Sequence, residues 1–182
     1  MMTNEEAEDI LKNADLIISE TEVNQAVHRL AEEIGAKLHD RQPLLLSVMG
    51  GAVVFTGQIL PLLRFPLEFD TIHATRYGDK TQGGVLTWKL MPRGNVSGRT
   101  VLLLDDILDE GQTLAEIRNM VVKLGAKEVY SAVFADKQIG REKPLKADFV
   151  GVKLPNRFVF GFGMDVEGAW RNLPAIYAMR EG

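Results

Sequence analysis

Three carboxylates, Asp105, Asp106 and Asp109, stand just ahead of Gly111, Gln112 and Thr113. The apolar run before them reads as a strand and the residues after Gly111 as the start of a helix, so the acids fall in a strand-turn-helix connection. In open α/β sheets, ligands bind beyond the carboxyl ends of strands, where a helix N-terminus offers unpaired amides and a favourable dipole. Gly111 lets the backbone approach a ligand closely, and the amides together with the Thr113 hydroxyl can surround a phosphate monoester. Acids beside such a site bind hydroxyls or Mg2+ in place of the phosphate. A ribose phosphate supplies both partners. Two carboxylates at the end of a buried strand are also costly without one.

The elements that must hold these residues follow from periodicity. Ser19, Glu20, Thr21 and Glu22 fit a capping box, and Val23, Ala26, Val27, Leu30, Ile34 and Leu38 then line one face of a helix. Leu44–Met49 is a short apolar run ended by Gly50 and Gly51 and followed by the apolar stretch 52–63, which predicts buried strand, glycine turn and helix. Residues 100–104 repeat that order, with a polar turn over 105–111 and a helix from about 112 to 124 closed by Gly125. Residues 128–134 form a further strand. Strands alternating with helices predict an α/β fold around a mostly parallel sheet. Residues 67–77 and 85–91 read as extended arms around the glycine-rich tip 78–84, a candidate hairpin or lid. After Pro144 the helical pattern stops, and short β-like pieces over 149–162 predict a small cap. The expectation is one domain over 1–182, with a core at about 20–140 and a hood at about 141–182.

With the motif and its frame in place, residues 101–113 (VLLLDDILDEGQT) resemble the phosphoribosyl-pyrophosphate signature of the type I phosphoribosyltransferases. The resemblance implies that fold, with Asp105 and Asp106 on the ribose hydroxyls and Asp109, Glu110, Gly111, Gln112 and Thr113 as the 5′-phosphate loop. Glu110 departs from the pattern, since many relatives carry threonine there. Downstream, Lys137, Asp148 to Gly151, Arg157 to Val159, Asp165 and Arg171 stand at spacings similar to those of hypoxanthine-guanine phosphoribosyltransferases. That likeness implies that Lys137 donates to the O6 acceptor of a 6-oxopurine, that Phe158 stacks on the base, and that the Val159 backbone reads its edge. Asp165 would sit by the base and hold Mg2+ directly or through water, with Asp105 and Asp106 as further candidate metal ligands. Arg171 would take the pyrophosphate as a charged fork. Met49 and Gly50 occupy the family's pyrophosphate loop, whose peptide is often cis; many relatives have lysine in place of Met49. Arg76 and Tyr77 resemble the Ser-Tyr pair of a closing loop, without the serine.

The implied activity is transfer of the phosphoribosyl group of phosphoribosyl pyrophosphate to N9 of hypoxanthine or guanine, in purine salvage, with Mg2+ as cofactor and Asp109 as general base. A xanthine-preferring enzyme and a non-catalytic phosphoribosyl-pyrophosphate-binding regulator are the alternatives; residues 137–165 argue against adenine and uracil. Family resemblance also implies a homodimer or homotetramer, to which the helix over 52–63 would contribute. Composition agrees with a small-molecule enzyme. Over 182 residues the formal net charge is -4, which argues against a sequence-independent grip on nucleic acid. The absence of cysteine excludes disulfides and thiolate chemistry. The acidic N-terminal segment resembles neither a signal peptide nor a membrane span, and the protein reads as cytoplasmic. His28, His39 and His73 lack ligand spacing and receive no role.

Overall fold

The computed structural model describes residues 2–77 and 85–180. Its centre is a six-stranded sheet in the order β4-β3-β2-β5-β6-β7, formed by β2 (Leu44–Met49), β3 (Glu68–Tyr77), β4 (Val85–Leu90), β5 (Thr100–Leu108), β6 (Glu128–Lys137) and β7 (Phe149–Leu154). All neighbours are parallel except β3 and β4, which pair antiparallel. The α/β expectation therefore holds. Continuous apolar runs make the central strands suitable for burial on both faces: Leu44, Leu45, Leu46 and Val101 to Leu104 are all at most 2% exposed.

Helices cover both faces. The predicted stripe of α2 (Glu20–Leu38) is buried in full, and its capping box is present, with Ser19 Oγ accepting from the Glu22 amide and the Glu22 carboxylate accepting from the Ser19 amide at 2.8 Å. This helix and α3 (Val53–Ile59) enclose one core with Leu45, Leu102, Leu104 and Phe134. On the other face, α4 (Gln112–Lys123) packs Leu114, Ile117 and Val121 against Leu44, Leu46, Val101 and Leu103. Alternate strand residues thus serve opposite cores, as period-two geometry requires.

Four boundaries differ from the sequence expectation. The apolar stretch 52–63 is a helix only to Ile59, because Pro61 enters a 3-10 turn at Leu60–Leu62. Strand β5 continues past Leu104 to Leu108, and β6 continues past Phe134 to Lys137, because each supplies the other's ladder partners, Ile107 with Ala135 and Leu108 with Asp136. Asp105 and Asp106 therefore lie in the strand, and the turn shrinks to the residues just before Gly111. Within the expected hood, β7 adds to the edge of the main sheet beside β6. The true second layer is a three-stranded antiparallel sheet, β1-β9-β8, which joins β8 (Val159–Phe160) and β9 (Ile176–Ala178) to β1 (Asp15–Ile18) from the other end of the chain.

Nothing in the periodicity announced β1 or the helix before it, α1 (Asn4–Lys12). That helix is closed by its own capping box from Thr3 to Glu6 and rests on the C-terminal region, where Trp170 Nε1 donates to the Ala7 carbonyl at 2.7 Å. No helix among the described residues is long and apolar enough to cross a membrane. The tip 78–84 lies outside the described residues. Arg76 and Tyr77 close β3 opposite Leu86 and Val85, and their side chains lie outside the described residues as well.

Candidate active site

The parallel ladder carries β5 and β6 to the same edge of the sheet, so the residues at their carboxyl ends meet. Asp105 and Asp106 are half-buried there. Each is held by local backbone: Asp105 Oδ1 accepts from the Asp106 amide at 3.0 Å, and Asp106 Oδ1 from the Ile107 amide at 2.9 Å. Burial, followed by the adjacent Asp106 charge, pushes the Asp105 carboxyl well above the usual carboxylate range. Burial raises Asp106 too, opposed by its hydrogen bonds and by the Arg171 guanidinium. Among the described residues, the cation that acts on the pair is Arg171, and it acts on Asp106. Gly51 is part of the reason for the burial. A Cβ there would lie 2.0 Å from Asp106 Oδ2, so only glycine lets the β2-α3 turn close over the carboxylate.

After Leu108 the chain turns into α4 through Gly111, whose φ of +81° is a left-handed conformation that glycine adopts without strain. No side chain caps this helix. The amides of its first turn have no partners within the helix and face a cavity of about 240 Å³ lined by Asp105, Asp109, Glu110, Gly111, Gln112 and Thr113. The predicted loop thus surrounds one space. A neighbouring cavity of about 540 Å³ is lined by Lys137 and Arg141, among others.

The side chains on that rim are paired. Lys137, at the end of β6, donates from Nζ to Asp109 Oδ2 at 2.8 Å. Arg141 forms an ion pair with Glu110, so Glu110 is exposed and turned toward a cation beyond the loop. Arg171 donates to Asp165 Oδ1 at 2.5 Å and to the Gly163 carbonyl, while Asp165 Oδ2 accepts from the Gly168 amide at 2.8 Å. Arg171 and Asp165 therefore form one unit, fixed to the turn that carries them. On the next loop, the peptide between Met49 and Gly50 at the end of β2 is cis, as the family pattern implies.

Phe158 is 54% exposed, which removes the core as its destination, whereas Val159 is buried in β8. Arg157 donates to Asp15 Oδ2 at 2.7 Å and to the Met179 carbonyl at 2.8 Å, tying the Phe158 segment to β1 and the C-terminal strand. Asp148 accepts from both the amide and the hydroxyl of Ser131 and so anchors the chain before β7. His28 and His39 each bond through Nδ1 to the carbonyl four residues back in α2.

One residue was missed. Lys143 donates from Nζ to the Leu108 carbonyl at 2.7 Å, to Asp136 Oδ1 at 2.6 Å and to the Lys137 carbonyl at 2.6 Å, with its side chain 10% exposed. It clamps the end of β5, one residue before Asp109, to the end of β6 at Asp136 and Lys137. A lysine in a polar loop carries no sequence signal for that role.

The model of the phosphoribosyl transferase domain matches residues 17–167. The chain belongs to the phosphoribosyltransferases. It is 34% identical to the hypoxanthine-guanine phosphoribosyltransferase of Bacillus subtilis over 91% of this chain and 92% of that protein. It is also 36% identical, over 88% of its length, to the bifunctional protein TilS/HprT of Listeria innocua, of which it spans 25%. Among solved structures it resembles a hypoxanthine-guanine phosphoribosyltransferase of Bacillus anthracis, with a TM-score of 0.85 and 28% identity over 91% of this chain and 98% of that one.

Proposed function

We propose that the protein transfers the phosphoribosyl group of phosphoribosyl pyrophosphate to N9 of hypoxanthine or guanine, releasing pyrophosphate and forming IMP or GMP. The observation that carries this reading is the Lys137 to Asp109 contact of 2.8 Å at the mouth of the phosphate loop. It brings a donor suited to a purine O6 and a carboxylate suited to a purine N7-H onto one rim. An adenine would set its 6-amino group against the Lys137 cation, a mismatch that gives specificity.

In this reading the first turn of α4, with Gly111 and Thr113, holds the 5′-phosphate, and Asp105 and Asp106 accept from the ribose hydroxyls. Phe158 stacks on the base and the Val159 backbone reads its edge. Arg171 binds the pyrophosphate, with the Met49-Gly50 peptide beside it, and Arg76 and Tyr77 belong to the segment that closes over the reactants. The N9 lone pair forms the bond to C1 of the ribose as the bond to pyrophosphate breaks, and the N7 proton passes to Asp109. The Asp109 carboxylate also favours the positive charge that develops on the sugar.

The raised pair Asp105 and Asp106 fits a divalent cation as well as hydroxyls, because a cation would relieve the charge that burial leaves there. Asp105 and Asp106 are candidates to hold Mg2+, and Asp165 is a separate one, directly or through water, since the three form no single cluster among the described residues; the ion would neutralise the leaving pyrophosphate. A homodimer or homotetramer is part of the same proposal, as is a cytoplasmic location. Val53 on α3 is 45% exposed and provides apolar surface for a second copy.

The test is direct. The protein is incubated with phosphoribosyl pyrophosphate and Mg2+ and, separately, hypoxanthine, guanine, xanthine, adenine and uracil, and nucleotide formation is followed. Product with hypoxanthine or guanine is expected. A preference for xanthine would reassign the substrate, and no product with any base would sink the enzyme reading in favour of a binding protein.

A further inference from the structure

The loop assigned above to the 5′-phosphate carries two carboxylates of its own, Asp109 and Glu110, and a phosphate monoester arrives there as a dianion. Each carboxylate is met by a cation from the segment where β6 ends: Lys137 on Asp109 at 2.8 Å and Arg141 on Glu110. For Asp109 the proposed chemistry explains the acid. For Glu110 it does not: the residue lines the same cavity, and its carboxylate accepts from Arg141, which stands beyond the loop.

Both members of the Glu110 and Arg141 pair are more than half exposed. Exposed pairs contribute little to stability, so the consequence of this one lies in the field it leaves at the loop. An unpaired Glu110 would place a full negative charge in the loop that receives a dianion. We propose that Arg141 is a positioning residue for phosphoribosyl pyrophosphate: by holding and neutralising Glu110 it keeps the loop's field compatible with the 5′-phosphate, without touching the substrate. The inference rests on the proposed activity and adds to it a residue outside the signature stretch.

The experiment is a double-mutant cycle in the full chain with Arg141→Ala, Glu110→Gln and both together, read as KM for phosphoribosyl pyrophosphate, KM for hypoxanthine, and kcat. Wild type is measured first, and a wild type that neither forms nucleotide nor binds phosphoribosyl pyrophosphate would overturn the underlying reading, and this inference with it. Arg141→Ala is expected to raise KM for phosphoribosyl pyrophosphate by about 5- to 10-fold, from the repulsion of a unit charge near a dianion at a screened surface. KM for hypoxanthine and kcat should stay within about twofold. Adding Glu110→Gln should restore KM to near the wild-type value, and raising the salt should shrink the Arg141→Ala defect. Two results overturn the proposal with the activity intact: an unchanged KM in Arg141→Ala, or a defect that persists in the double variant, which would mean that Arg141 meets a ligand directly. Unchanged melting temperatures across the four proteins exclude a folding effect, since both side chains sit on the surface.

Discussion

At the amino end of the main sheet, Glu128 accepts from Arg41 at 2.6 Å and from the Thr100 hydroxyl at 3.2 Å, and Glu68 accepts from Arg99 at 3.0 Å. The Arg41 guanidinium holds the Glu128 carboxyl below its usual value. At the carboxyl end of the same β5 strand, Asp105 and Asp106 stand side by side, and burial drives both upward. One sheet therefore has a matched charge cluster at the amino end of its strands and an unmatched pair at the carboxyl end of β5. Acids at the start of the sheet are matched by arginine; buried acids that burial drives upward mark a place where a ligand would complete the set. The cations at the site end are committed differently, since Lys137, Arg141, Lys143 and Arg171 each hold a carboxylate on the rim while the Asp105 and Asp106 pair inside it keeps its excess.

The sharpest break in that comparison is expected from Asp109. Asp109→Asn keeps the shape and removes the proposed base, so forward turnover with hypoxanthine should fall by about 100-fold or more while the protein stays folded. Steady-state kinetics beside a thermal melt check this. Turnover like that of wild type would remove Asp109 from the proton transfer and leave the pair with Lys137 as a structural bridge. Next in size is Lys137→Ala, which should cut kcat/KM for hypoxanthine relative to adenine by about 10- to 100-fold, because a site built around a hydrogen bond to O6 discriminates through it. A loss of turnover with unchanged base preference would assign Lys137 to the support of Asp109 alone.

Asp105→Asn pulls in two directions, which makes it the clearest probe of an unsettled pair. Binding of phosphoribosyl pyrophosphate should weaken by about 10-fold, the worth of a charged hydrogen bond. The ligand-free protein should become more stable near neutral pH, by about 2–4 °C in melting temperature. The sign follows from linkage. The folded pKa is raised, so the native state binds more protons than the unfolded chain above about pH 4, and stability falls as pH rises from there through the folded pKa. Asp105→Asn should flatten that decline. A variant that is less stable at every pH would show that the carboxylate is already satisfied by backbone and that the strand end is not strained by charge.

How much of this was legible beforehand depends on whether the determining contacts were local. The α2 stripe and its capping box were readable because helix periodicity and Ser19-Glu22 pairing act within a few residues. The loop proposed to take the phosphate was readable as strand, turn and helix because these are contiguous. The strand lengths were not: β5 and β6 lengthen each other, and nothing within 100–104 states that Asp105 has a ladder partner in Val133. Strand β1 was missed because four residues of β1 find their sheet with β9, at the far end of the chain. Lys143 was missed for the same reason, since its three acceptors come from two strand ends that only the fold brings together. Glu110 was visible as a departure, whereas its pairing with Arg141 needed the turn after β6.

The smallest expected effect tests the settled end. Glu128→Gln removes the charge that Arg41 meets yet keeps the shape, and because the pair lies at the surface, partly open to solvent, its melting temperature should stay within about 1 °C of wild type at pH 7. Linkage here runs opposite to that of Asp105. Glu128 has a lowered folded pKa, so its contribution is present above the ordinary glutamate pKa, near 4.3, and is lost as pH falls through the folded value. The variant should therefore lose part of the wild-type dependence on the acid side alone, and KM for both substrates should be unchanged because Glu128 stands at the opposite end of β6 from Lys137. A shift in KM would show that charge at one end of the sheet is felt at the other, and the two clusters could no longer be treated as separate systems.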